Sequence, residues 1–376
     1  MLVFGGIAAA ALGAVGLIWL GYPTVVWLRS RVAGQPLRAD PQWRPTVSVV
    51  LATRDHASAI DARVHNLLAT DYPGALLEVV IAIDADGAQS TPAQLTVADP
   101  RVRVVAGDAP GGKAATLNAG VRAATGEVLV LADVAQRFEP TTIPALVAEL
   151  ADPRAGAVSG ALDLGPGTGR FSPVRAYWTL EKWLRFHEAR RHASIGVTGA
   201  VYATRRALWP VIPAGTILDD VYVPMALVLQ GWRVGFTYAA IARDVRVIGL
   251  AAEQQRKART LTGNLQLVQL LPAILTAANP ARGAFVWHKL ARLTTPAWLL
   301  VAVVAGAPWL ITRLLTWSPA QQLALGALLL LALGIPHVRR RLLGPLMWGL
   351  GMQVAVVRAL RNAAGGRWAV WQKPSV

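Results

Sequence analysis

Apolar residues run without a charge from Leu2 to Leu28, then give way to short apolar runs separated by mixed segments. A bilayer core takes about 20 apolar residues, so the first run predicts a transmembrane helix over residues 1–28. A cleaved signal peptide is the competing reading, but the run is too long for one and lacks a basic leader. Arg29, Arg31 and Arg38 follow at once, and the positive-inside rule then sets the next domain in the cytoplasm. From residue 40 to about 260, strand-like runs appear at Thr46–Ala52, Leu76–Ile83, Val102–Val105 and Glu127–Ala132. Helix-like stretches lie between them, one carrying Ile60, Val64, Leu67 and Leu68 and another over Lys113–Ala124. This alternation predicts an α/β domain with a mainly parallel sheet.

The pattern changes again downstream. Over Ala176–Arg191, Tyr177, Trp178, Leu180, Trp183, Leu184 and Phe186 alternate with Glu181, Lys182, Arg185 and Glu188. That suits an amphipathic helix, packed on the domain or lying at a membrane interface. Asn264–Thr276 is apolar but broken by Gln266, Gln269 and Pro272, so residues 264–283 read as an interfacial helix. Leu293–Thr312 and Ala320–Val338 are uncharged and long enough to span, and Leu342–Val357 is shorter. Residues 293–360 therefore read as C-terminal transmembrane helices. Arg339–Arg341 should face the cytoplasm; a full third span would then place Arg358, Arg361 and Arg367 outside, which leaves the side of the C-terminus open.

Composition narrows the partners. Of 376 residues, 54% are hydrophobic and only 15% charged, too apolar for an ordinary soluble domain. Cysteine is absent, which excludes disulfides and thiolate metal sites. The six histidines show no ligand spacing, so no zinc site is expected. A net charge of +16 suits membrane lipids or phosphate ligands. No reader motif for nucleic acid is present, and nucleic acid is not expected as a partner. The uncharged spans also argue against a transporter.

Acids mark the candidate chemistry. Asp84 and Asp133 each close an apolar strand run, and Asp219–Asp220 stand together within Gly215–Pro224. Acids at the carboxyl ends of parallel strands converge on one crevice. There they hold a divalent metal or move a proton. Each has a plainer reading. Asp84-Ala-Asp86-Gly87 suits a turn, Asp219–Asp220 suit an N-cap for a helix over Val221–Leu229, and Lys113 suits a solvated helix start. Gly111 and Gly112 let backbone approach a ligand, although the spacing is not that of a Walker loop.

Six segments taken in order carry a more specific signal: Val50–Asp55, Ile83–Gly87, Gly111–Asn118, Leu131–Asp133, Thr198–Arg206 and Leu218–Asp220. Together they resemble a membrane-bound family-2 glycosyltransferase with a GT-A nucleotide-sugar domain, over about Thr46 to Gly263. The resemblance implies a Rossmann-like mixed-sheet α/β domain at residues 40–263, on the cytoplasmic face of a multi-pass inner-membrane protein. It implies nucleoside contacts from Thr53, Arg54, Asp55, Asp84 and Asp86, and a point charge on the nucleotide from Lys113. Asp133 matches the first acid of the metal motif that holds Mg2+ or Mn2+. Thr198, Gly199 and Ala200 would line the acceptor side. Asp220 would be the general base for an inverting attack, with Asp219 raising its proton affinity.

Arg256 and Arg259 lie where the family carries Gln-x-x-Arg-Trp, and with Lys257 they would clamp the diphosphate. Thr260 stands in place of the tryptophan, which argues against a cellulose-like polymerase. Ala135 stands where the second metal acid belongs. One carboxylate with substrate phosphates still holds Mg2+, but the departure puts metal dependence in doubt. The implied function is transfer of a sugar from a nucleotide sugar, a UDP-sugar by resemblance, to a lipid-linked or polysaccharide acceptor. Two alternatives stand beside it: a processive synthase that exports its product with an oligomer or export partner, and an inactive scaffold that binds glycan or nucleotide.

Overall fold

The structure, a computed structural model, describes residues 2–165, 172–245 and 250–368. Its strands are β1 Val47–Thr53, β2 Leu77–Ile83, β3 Val102–Ala106, β4 Val128–Ala132, β5 Gln136–Phe138, β6 Ala155–Asp163, β7 Val201–Arg205 and β8 Arg233–Asp244. They form one sheet in the order β3-β2-β1-β4-β7-β6-β8-β5. β1 pairs in parallel with β2 and β4, and β2 with β3. β7 is antiparallel to β4 and β6, β8 is parallel to β6, and β5 closes the edge antiparallel to β8. The sheet is therefore mixed, and its parallel half holds the four strands expected from the apolar runs.

The helices are α1 Leu2–Gly16, α2 Tyr22–Val32, α3 Ala57–Leu68, α4 Lys113–Ala123, α5 Thr142–Leu150, α6 Pro173–Arg191, α7 Asp219–Leu229, α8 Leu250–Leu270, α9 Arg282–Phe285, α10 Thr295–Leu315, α11 Pro319–Gly334 and α12 Pro336–Ala364. Successive strand residues point to opposite faces, and the core divides accordingly. Val49 and Leu51 of β1 pack with Ile60, Val64 and Leu67 of α3 and Leu146 and Leu150 of α5. Val50 packs on the other face with Leu117 and Val121 of α4, Leu227 of α7, Leu267 of α8 and Phe285 of α9.

Among the described residues, two helices are long and apolar enough to cross a membrane: Leu2–Val32, in which a π-helical turn joins α1 to α2, and Arg282–Leu315. Small residues let them meet. Ala8 and Ala11 are buried on α1, Ala302 and Ala305 on α10, and a Cβ at Gly306 would stand 3.4 Å from Ala8. The expected span over Ala320–Val338 is instead interrupted. α11 stops at Gly334 after 16 residues because Pro336 cannot continue its hydrogen bonding, and Leu342–Val357 falls inside the 29-residue α12. The side chains of Arg339, Arg340 and Arg341 lie outside the described residues. The stretch 264–283 is also divided. Its first part ends α8, Pro272 opens a separate turn at Pro272–Leu275, and α9 follows.

Candidate active site

The carboxyl ends of β1, β2 and β4 open on a cleft of about 410 Å³. At the end of β1, the Thr53 hydroxyl donates to Asp55 at 3.1 Å and accepts the Asp55 N–H at 3.0 Å. The Asp84 carboxylate, buried at the end of β2, accepts from Arg54 Nη2 at 2.7 Å, from the Gly112 N–H at 2.9 Å and from the Asp86 N–H at 3.0 Å. Asp84 thus ties three loops together. Gly111 explains how they come so close: its φ is +90°, and a Cβ there would stand 2.6 Å from the Asp86 Cβ and 2.9 Å from Asp84 Oδ1. Asp86 itself is exposed and does not line the cleft.

Lys113, the first residue of α4, reaches across to two acids. Its Nζ lies 3.1 Å from Asp133 Oδ1 and 3.6 Å from Asp219 Oδ2. Burial opposes its charge, but Asp133, Asp219 and Asp220 outweigh burial and hold the ammonium above the ordinary lysine range. The solvated-lysine reading is thereby replaced by a lysine paired with acids. Asp133 is fixed from behind by Arg63 of α3, which is fully buried, donates Nε to the Asp133 carbonyl at 3.0 Å and stacks over Phe138. Arg63 was not among the expected residues. It sits within the apolar stripe of α3, where only its burial signals a structural task.

Asp219 and Asp220 open α7, but neither is its N-cap: Leu218 holds that position, without a side-chain cap. Both acids line the cleft beside the positive end of the helix. Burial, together with the like charges of Asp220 and Asp133, pushes the Asp219 carboxyl up to about 6 despite Lys113. Asp220 Oδ1 is buried with no hydrogen-bond partner among the described residues. Gly199 makes room for this carboxylate, since a Cβ there would stand 3.2 Å from the Asp220 Cβ. Thr198 anchors the same loop, donating Oγ1 to the Gly160 carbonyl at 3.0 Å and accepting from Arg185 at 3.3 Å. Thr198, Gly199 and Ala200 all line the cleft.

Ala135 contributes no donor where a second metal acid was sought, and Gln136 turns aside to donate to Asp244 at 3.1 Å. Asp133, here paired with Lys113, is then the acid at this position that could hold a divalent ion, and a substrate diphosphate would have to complete the coordination. That donor set fits Mg2+, which commonly binds through one or two carboxylates and substrate phosphates. Asn118 serves the fold: it donates to the Ile212 carbonyl and accepts from the Ile212 N–H and Trp209 Nε1.

The opposite wall comes from α6, α8 and residues 288–292. Arg256 and Arg259 of α8 both line the cleft, and Arg256 lies over Trp178 of α6. Arg185, Lys257, Lys289 and Arg292 add further cations to this wall. Lys257 was expected here with Arg256 and Arg259, whereas Arg185, Lys289 and Arg292 were not singled out in the sequence as site residues. α6 packs on the domain with its charged residues inward: Glu181, Arg185 and Glu188 are buried, whereas Trp183 and Phe186 are half-buried.

Residues 48–209 match the protein family described as Glycosyl transferase family 2. No curated protein matches the chain in sequence. Among solved structures, the chain is similar to the mannosyltransferase PcManGT from Pyrobaculum calidifontis in complex with GDP-Man and Mn2+, with a TM-score of 0.68 and 23% identity over 96% of this chain and 99% of that one. A mycobacterial protein aligns with a TM-score of 0.41 and 19% identity, over 60% of this chain and 74% of that one. GalNAc-T7 with UDP, GalNAc and Mn2+ aligns with a TM-score of 0.44 and 12% identity, over 67% of this chain and 55% of that one. The first likeness, read with the family match, makes the mixed eight-stranded sheet a GT-A fold.

Proposed function

We propose that this chain, whose residues 48–209 match Glycosyl transferase family 2, is an inverting glycosyltransferase that moves a sugar from a nucleotide-sugar donor to a lipid-linked or glycan acceptor at a membrane surface. The carrying observation is the convergence of Asp133, Asp219 and Asp220 on one cleft, with Asp220 Oδ1 buried and without a hydrogen-bond partner among the described residues. In this reading Asp220 takes the proton from an acceptor hydroxyl as that oxygen attacks the anomeric carbon. The bond to the nucleoside diphosphate breaks, its electron pair leaves with the diphosphate, and the configuration inverts. Thr53, Arg54, Asp55 and Asp84 hold the nucleoside end, while Lys113, Arg256 and Arg259 face the diphosphate with positive charge. A divalent ion held by Asp133 would offset charge on the leaving diphosphate.

The two apolar helices, the first carrying Arg29 and Arg31 in its last turn with Arg38 beyond it, support a catalytic domain on the cytoplasmic face of the inner membrane. Ala135 favours the inactive-scaffold reading, and the assembled acids count against it. The test is direct. The purified full chain in lipid is incubated with UDP- and GDP-sugars, with and without Mg2+ or Mn2+, and products are weighed by mass spectrometry. Transfer with inversion is expected; absence of turnover across the panel would leave only the scaffold. Product length separates single transfer from a processive synthase.

A further inference from the structure

Two buried guanidinium groups of the wall opposite the acids, those of Arg185 and Arg292, are incompletely paired among the described residues. Arg185 is 9% exposed and makes no ion pair among the described residues; its one hydrogen bond there is to Thr198 Oγ1 at 3.3 Å, and its Nε is buried without a partner. Arg292 is 7% exposed and pairs with Glu181 through Nη1, while its Nε and Nη2 are buried without hydrogen-bond partners among the described residues. Lys289 Nζ lies 3.9 Å from the same Glu181, which His288 also contacts at 3.0 Å. Two buried carboxylates, Glu181 and Glu188, therefore answer Arg292, Lys289 and His288, and Arg185 pairs with neither of them. A buried charge without a counter-charge is expensive, and buried guanidinium N–H groups without acceptors add to the cost. An anionic ligand placed among Arg185, Lys289 and Arg292 would relieve both.

The position of this cluster identifies the ligand. Arg185 reaches Thr198, whose neighbour Gly199 lies under Asp220, so the cluster adjoins the acceptor side of the cleft rather than the Arg54–Asp84 end. The same wall is built onto both apolar helices. Arg292 stacks over Trp19, the Tyr22 hydroxyl donates to Glu188 at 2.7 Å, and Tyr22 stacks on Trp287. An anion bound here sits where chain from the bilayer meets the cleft. We propose that Arg185, Lys289 and Arg292 form a phosphate-binding subsite for the acceptor, which is a lipid whose sugar is joined to it through phosphate. The phosphate anchors the acceptor, and a sugar hydroxyl beyond it faces Asp220. This rests on the transferase reading for its purpose, but not for its test.

The test measures binding without any nucleotide sugar. Full-length protein in nanodiscs is titrated with vesicles carrying a polyprenyl-phosphate sugar, and separately with the same polyprenyl glycoside lacking phosphate. The phosphate lipid is expected to bind at least about tenfold more tightly, the size of one well-made charge-assisted contact. Arg185→Gln and Lys289→Gln should each remove most of that preference, and Arg185→Lys should keep part of it. Thermal unfolding reports whether each variant is folded. A purely structural role would lower the unfolding temperature and leave the preference intact, which would overturn the proposal, as would equal binding of the two lipids. Competition by phosphatidylglycerol vesicles at matched charge would reduce the site to general headgroup binding and overturn the acceptor assignment. Phosphate-selective binding without sugar transfer from any donor would sink the transferase reading and leave the subsite standing; transfer to neutral glycans with no phosphate preference would do the reverse.

Discussion

Replacing Asp220 by Asn keeps the size of the side chain and the first turn of α7 but removes the only proton-accepting role proposed there. A positioned general base contributes about 10²–10⁴-fold in rate, which corresponds to roughly 3–5 kcal/mol of barrier. The structure argues for the middle to upper part of that range. The adjacent acid is engaged elsewhere, because Asp219 Oδ2 faces Lys113 at 3.6 Å. Asp220 Oδ1 has no hydrogen bond to lose among the described residues, so the substitution should cost less than about 1 kcal/mol of stability. The expected result is a fall of about 10³ in turnover, near 4 kcal/mol, with the donor KM changed less than about threefold, because the interaction lost belongs to the transition state. The assay is initial-rate release of nucleoside diphosphate by full-length protein in nanodiscs, with product mass as confirmation. A variant keeping more than about a tenth of wild-type turnover lies below the smallest effect of a working base and refutes the assignment.

Three further outcomes follow. Asp219 holds its proton more tightly folded than at the ordinary value of 3.8, so between about pH 4 and pH 6 its contribution to stability declines as pH rises, by up to about 3 kcal/mol; unfolding of Asp219→Asn against wild type across that window should show the variant gaining steadily, and a flat difference would contradict it. Gly111→Ala forces an alanine to φ +90° and sets its Cβ 2.6 Å from Asp86, so it should cost about 1–3 kcal/mol and weaken nucleotide binding, read by calorimetry on the folded variant. Chelation by EDTA should suppress transfer and added Mg2+ or Mn2+ should restore it; full activity in EDTA would remove the role proposed for Asp133.

How far the chain announces this arrangement depends on where burial is local and where it is not. β1, β2 and β4 are covered on both faces, so each is a continuous apolar run, and the acids that close two of them are read off with the strands. β6 and β8 escape the same test. β6 is built from Ala, Gly and Ser among larger residues, and β8 mixes Thr, Tyr and Arg into its twelve positions, so neither stands out by period or by hydropathy. The cleft's second wall is hidden for a different reason. α6 shows a plain alternation of aromatic and charged residues, which predicts the helix correctly but suggests that the charged side faces water. Glu181 and Glu188 are instead buried, because His288 and Arg292, about a hundred positions later, supply their partners. A buried polar group is tolerable only with a partner, and no local pattern can report one that arrives from so far along the chain. The acids of the site lie at strand ends whose geometry the strands themselves dictate; the cations lie where helices from both ends of the chain meet, and their pairing exists only once that packing has formed.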